Sequence, residues 1–147
     1  MNLEAEYDLD FYAWIRKNVE LLRRGCLSEI DVEHIAEELE SMGKCDLRQL
    51  RSRLQVLVMH LLKWQYQPDK QSKTWLVTID HQRDEIETLL LDSPSLRSEL
   101  EQGLARVYPK AVRDACRETG LPETTFPLSC PFEIEEILAQ EFLPDCR

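Results

Sequence analysis

Residues 32–66 read VEHIAEELESMGKCDLRQLRSRLQVLVMHLLKWQY, and this stretch decides the fold. Ile35, Leu39, Met42, Leu50, Leu54, Leu57, Leu61 and Trp64 share one helical phase, interrupted only by Asp46. Gly43 lies inside the run, where an interior glycine costs about 1 kcal/mol relative to alanine. The apolar phase survives it. The pattern therefore predicts one long helix, about 32–66, with a bend near Gly43 allowed and a break there as the alternative reading. Asp31 precedes the first helical residue, Ile30 and Ile35 suit a hydrophobic staple, and Pro68 stops the run.

Helical patterns continue on both sides. Toward the N-terminus, Phe11, Ile15, Val19 and Leu22 form an apolar stripe behind an acidic cap, Asp8 or Asp10, and Gly25 closes the helix. Toward the C-terminus, Ser72 caps a helix whose stripe holds Trp75, Ile79, Ile86 and Leu89. Ser93 then caps another, with Pro94 at its first position, and Leu96, Leu100, Leu104 and Val107 on its face. Pro109 is expected to kink or restart that helix. Three prolines make 122–131 an extended loop, and a short helix, about 132–142, follows. No strand-like alternation is present. The reading is an all-α antiparallel helical bundle, about 8–118, with a C-terminal helical appendage, about 119–147, in a single domain, 1–147.

The net charge of −10 is unevenly placed. Residues 1–43 carry 4 Lys/Arg and 11 Asp/Glu, residues 44–83 carry 8 and 3, and residues 84–147 carry 6 and 14. A basic middle thus lies between acidic flanks. An acidic chain repels phosphate backbones and anionic lipid, so membrane binding is not expected and nucleic acid is disfavoured. The longest apolar runs are far shorter than the roughly 20 residues that cross a bilayer. With an acidic N-terminus unlike a signal peptide, these features predict a cytoplasmic protein. Five cysteines, an odd number without CxxC spacing, predict free thiols rather than a disulfide or zinc framework.

Several motifs resemble a known family. Tyr7-Asp8-Leu9-Asp10-Phe11-Tyr12-Ala13-Trp14, Glu37-Glu38-Leu39-Glu40-Ser41-Met42-Gly43 and His60-Leu61-Leu62-Lys63-Trp64-Gln65-Tyr66-Gln67-Pro68 are similar to landmarks of the bacterial family called Domain of Unknown Function 29. So are Ser72-Lys73-Thr74-Trp75, Gln82-Arg83, Ser93-Pro94-Ser95-Leu96, Phe126-Pro127 and Cys130-Pro131, with Thr74 where the family resemblance leads one to expect serine. The resemblance spans nearly the whole chain. It implies a helical fold in bacteria and no particular activity.

The densest polar cluster predicted from spacing joins the end of the long helix to the next one. His60, Lys63 and Gln67 fall within about 60° on the helix, with Trp64 beside them. Trp75, Gln82 and Arg83 can face them after the turn at Pro68, and Gln82, inside an apolar stripe, needs a partner such as His60. Such a group suits a small anion or peptide. It suits a structural polar network better, with Lys63 reaching water, since polar core networks need no ligand. His34, His60 and His81 lie on different faces, so neither a metal nor another cofactor is expected. Glu37, Glu38 and Glu40 read as a solvated face, or as partners of Arg48 and Arg51 on a neighbouring chain.

The first reading is a non-catalytic helical interaction domain whose partner is another protein, with an apolar patch expected toward the C-terminal part. The alternative is a small-ligand-binding protein or enzyme centred on His60, Lys63, Trp64, Gln67, Trp75, Gln82 and Arg83. A third is nucleic-acid binding through Arg48, Arg51, Arg53, Lys63, Lys70, Lys73 and Arg83, with Trp64, Tyr66 and Trp75 for stacking.

Overall fold

The computed structural model describes residues 2–146 and is all-α. Six α-helices occur in order: α1 (Leu3–Leu9), α2 (Phe11–Arg24), α3 (Val32–Tyr66), α4 (Lys73–Asp92), α5 (Leu100–Thr119) and α6 (Ile134–Leu138). Among the described residues there is no strand, and no helix is long and apolar enough to cross a membrane.

The long helix is continuous. Gly43 sits in it with helical backbone, and the only positive φ angles among the described residues belong to Gly25 and Gly120, the left-handed caps that end α2 and α5. Asp10 caps α2 by accepting from the Ala13 amide at 3.1 Å, and Ser72 caps α4 by accepting from the Trp75 amide at 3.3 Å.

Four local expectations change. A short helix, α1, precedes the acidic cap, with Asn2 accepting from the Glu4 amide. Ser93-Pro94 opens a 3-10 segment, Pro94–Glu99, and Ser93 makes no side-chain cap, so the α-helix starts only at Leu100. Pro109 lies inside α5, which runs unbroken from Leu100 to Thr119, so the proline does not restart it. Its ring is exposed. The last helix covers five residues rather than eleven, closed at its start by a capping box between Glu133 and Glu136.

The chain divides into two compact units, Met1–Cys45 and Asp46–Arg147. α3 starts in the first and ends in the second. The second unit holds nearly all of the buried apolar side chains: Leu50, Leu54, Leu57, Val58, Leu61 and Leu62 of α3 meet Ile79 and Ile86 of α4, Leu104, Val107 and Ala111 of α5, and Ile137 of α6. Leu50 is the first residue of the α3 apolar phase to enter this core. The first unit is different. Trp14 is its one buried apolar side chain among the described residues. The stripe Phe11, Ile15, Val19 and Leu22, expected to face a core, remains 36–43% exposed, and Leu39 and Met42 are 62% and 65% exposed. The face of α2 that is buried carries Trp14 and Asn18 instead.

Candidate functional site

The groups singled out from the sequence are dispersed among separate structural partners. His60 donates from Nδ1 to the Val56 carbonyl of its own helix, 2.9 Å away, and burial pushes its pKa down, so the ring is neutral at pH 7. It is not the partner of Gln82. That role falls to Arg53, whose Nη1 donates to Gln82 Oε1 at 3.3 Å. Arg53 also pairs with Glu85 at 3.5 Å. Lys63 does not reach water: it is 5% exposed, pairs with Glu118 of α5 at 2.7 Å, and lies 4.5 Å from the centre of the Trp75 ring. One cation thus joins α3, α4 and α5, by charge on one side and by the negative face of an indole on the other. Gln67 donates to the Thr119 carbonyl at 3.5 Å. The half-buried Trp64 offers its backbone carbonyl to Gln71 at 3.0 Å.

Arg83 does something no local pattern announced. Its Nε donates to the Ile137 carbonyl (2.8 Å), Nη1 to that of Gln140 (3.3 Å) and Nη2 to that of Phe142 (2.8 Å). The guanidinium closes the C-terminal end of α6, where helical carbonyls lack partners and the dipole is negative. Burial lowers its pKa, but an arginine still carries its charge. Beside it lies a hollow of about 240 Å³, whose lining includes Arg83, Leu90, Arg97 and Gln140, and neither His60, Lys63 nor Trp75. The structure therefore brings Lys63 and Trp75 together and keeps His60, Gln82 and Arg83 on partners of their own.

A second polar centre lies in the first unit, built on Asp31. Its carboxylate accepts from the Trp14 indole (2.9 Å), from His34 Nδ1 (2.7 Å) and from the His34 amide (3.3 Å). Its own amide donates to Asn18 Oδ1 at 2.9 Å, while Asn18 Nδ2 donates to the Trp14 carbonyl at 2.8 Å. Burial pushes the Asp31 carboxyl upward, but the bonds from Trp14 and His34 outweigh it and hold the pKa below the ordinary value. The bond to Asp31 raises the His34 pKa. The His34 ring is stacked on Tyr7, centroids 3.9 Å apart. Tyr7 donates to Glu38 at 2.5 Å, and that bond pushes its pKa up to about 12. Glu6 is buried against Lys17, both oxygens 2.8 Å from the ammonium, which ties α1 to α2.

Sequence reading missed this centre. The available signal was Trp14 and Asn18, four residues apart along one edge of the apolar stripe, followed by Asp31 three residues before His34. Chemically, Asp31 fixes the tautomer and orientation of His34, as a general base requires. The groups packed around that ring are Tyr7, Trp14 and Asp31, and the Tyr7 hydroxyl stays protonated at neutral pH. Among the described residues, no three His, Cys, Asp or Glu side chains converge as a metal-ligand group. Burial raises the pKa of Cys116 and Cys130, so neither is an activated thiolate.

Some of the quoted motifs touch in pairs within a unit. Tyr7 reaches Glu38, Lys63 reaches Trp75, and the Tyr66 ring packs at 5.2 Å on that of Phe126. A family model, Domain of unknown function DUF29, matches residues 6–143. The chain belongs to this family. The match takes in both polar centres and all helices from α2 to α6. No curated protein and no solved structure matches the DUF29 chain.

Proposed function

We propose that the chain is a non-catalytic protein-interaction domain whose contact surface is the N-terminal unit. The observation that carries this reading is the mismatch between its apolar side chains and its core. Among the described residues of this unit Trp14 is the one buried apolar side chain, while Phe11, Val19, Leu22, Leu39 and Met42 are exposed. Units of about 40 residues rarely hold together on so little burial without a disulfide, a metal or a partner, and the cysteines are free. Ten of the fourteen exposed large apolar side chains lie in this unit, with Val77, Leu91, Leu128 and Leu143 exposed in the other, whereas the sequence led us to expect the patch toward the C-terminal part.

The ligand-binding alternative draws less support. Lys63, Gln82 and Arg83 already spend their polar ends on protein groups. For nucleic acid, Lys63, Arg53 and Arg83 are engaged in the same way, and Trp75 covers Lys63 rather than standing free to stack.

The test compares wild type with Val19→Asp/Leu22→Asp, each immobilised and exposed to host proteins. Both positions are exposed, so the variant should keep its helical circular dichroism. A partner held by the wild type and lost by the variant is the expected result. Identical retained proteins on both would defeat the reading.

A further inference from the structure

The exposed stripe of α2 lies along a groove of about 570 Å³ lined by Ile15, Arg16, Val19, Glu20, Arg23 and Arg24. Arg24 is spent on Glu20 at 2.7 Å. Arg16 and Arg23 have no acidic partner among the described residues. Arg16 follows Ile15 and Arg23 follows Leu22, so at 100° per residue both cations fringe the same edge of the stripe.

The start of α3 repeats this pattern with the opposite sign. Glu33 follows the exposed Val32, and Glu40 follows the exposed Leu39. Neither glutamate has a cationic partner among the described residues. The two arginines are seven residues apart, and so are the two glutamates, two turns in each case. Set antiparallel, the helices place Arg16 opposite Glu40 and Arg23 opposite Glu33 on one shared edge. Ile15 then layers against Leu39 and Met42, and Leu22 against Val32. A parallel arrangement puts the charges on opposite edges.

This pairing is not made inside one chain. There, Asp31 before α3 and His34 and Glu38 within it meet α1 and α2, and the α2 stripe stays 36–43% exposed. We infer that a second copy of this chain covers it: α2 of each copy packs antiparallel on α3 of the other, with Arg16 to Glu40 and Arg23 to Glu33 across the contact. A basic-edged and an acidic-edged stripe on the same unit make the surface self-complementary, the condition for a closed two-fold dimer. The inference rests on reading the N-terminal unit as an interaction surface and names what occupies it.

Sedimentation of the full chain tests it between roughly 1 and 100 µM. Wild type should reach twice its 17.3 kDa mass. Arg16→Glu/Arg23→Glu and Glu33→Arg/Glu40→Arg should each self-associate at least about tenfold more weakly, with unchanged circular dichroism because all four side chains are exposed. Mixed together, the two variants should regain the dimer, since each then meets opposite charge. A chain folding back on itself cannot be rescued by mixing. A monomeric wild type at 100 µM overturns the second copy as occupant, whatever the capture experiment with Val19→Asp/Leu22→Asp finds. A wild-type dimer indifferent to both charge reversals overturns this pairing.

Discussion

At the residue scale, Arg83 and Asp31 do most of the joining. Arg83→Ala leaves the three carbonyls of Ile137, Gln140 and Phe142 without their donor, so it should cost roughly 3 kcal/mol or more. Arg83→Lys should recover less than half of that, because one ammonium cannot span a fork of three acceptors. Chemical denaturation of the three proteins checks both claims. His34 gives a pH prediction. Its folded pKa lies above 6.5, so its contribution is complete below the unfolded pKa and is lost as pH rises through the folded one. Tyr7, Trp14 and Asp31 pack on the ring, and the charges of Asp31, Glu37 and Asp8 all raise its pKa while burial opposes them. His60 has the opposite slope, since burial depresses its pKa. Thermal melts of wild type and His34→Asn at roughly pH 5.5 and 8.5 separate the two. The stability that wild type loses between these pH values, relative to the variant, is the His34 share. Parallel pH profiles for the two proteins would show that protonating His34 adds nothing to the Asp31–His34 contact.

At the element scale, the long helix carries a glycine it does not need for shape. Gly43 is helical, and a Cβ built there meets no atom within 4 Å. Gly43→Ala should therefore stabilise the chain by up to about 1 kcal/mol, read as a higher midpoint in urea without a change of slope. A lower midpoint would mean that the backbone bends there in solution. Where α3 meets α4 and α5, Lys63 is the shared bolt. Its ion pair is half open to water on the Glu118 side, so screening discounts the charge, but the side chain is buried and its ammonium lies over the Trp75 ring. Lys63→Ala should cost roughly 1–3 kcal/mol, and Lys63→Met, which keeps the packing, noticeably less. Equal losses for both would assign the whole effect to charge.

At the scale of the whole molecule, the two units differ in what holds them. The unit from Asp46 onward has a continuous apolar core. The unit before it has Trp14, an aspartate-centred hydrogen-bond network and a Glu6–Lys17 pair. Polar networks supply direction and register, but net stability comes mainly from apolar burial. Amide hydrogen exchange at low protein concentration should therefore show α1 and α2 opening well before α4 and α5, with protection in α3 rising from Leu50 onward. Raising the protein concentration should slow exchange in α2 selectively if a second copy covers it. Uniform protection along the chain would contradict this hierarchy.

Much of the architecture was legible from residues alone because it is periodic or punctuated. One apolar phase through residues 35–64 determined a single long helix despite Gly43, and Asp10, Gly25, Ser72 and Pro68 marked helix ends by local chemistry. The buried face of α2 was misread, since the stripe with the stronger apolar pattern stayed outside and the polar Asn18 went in. Pro94 suggested an α-helical start, but the segment forms 3-10 turns first. Long-range partners were beyond reach. Arg83 is more than fifty residues from the carbonyls it holds, Lys63 is fifty-five from Glu118, and Gln82 is bound by Arg53 rather than by the nearer His60. Periodicity reports the face on which a side chain lies, whereas its partner depends on how helices far apart in the chain are packed. The sequence by itself determined which segments are helical; only the tertiary structure decided which polar groups meet and which apolar stripe is left uncovered.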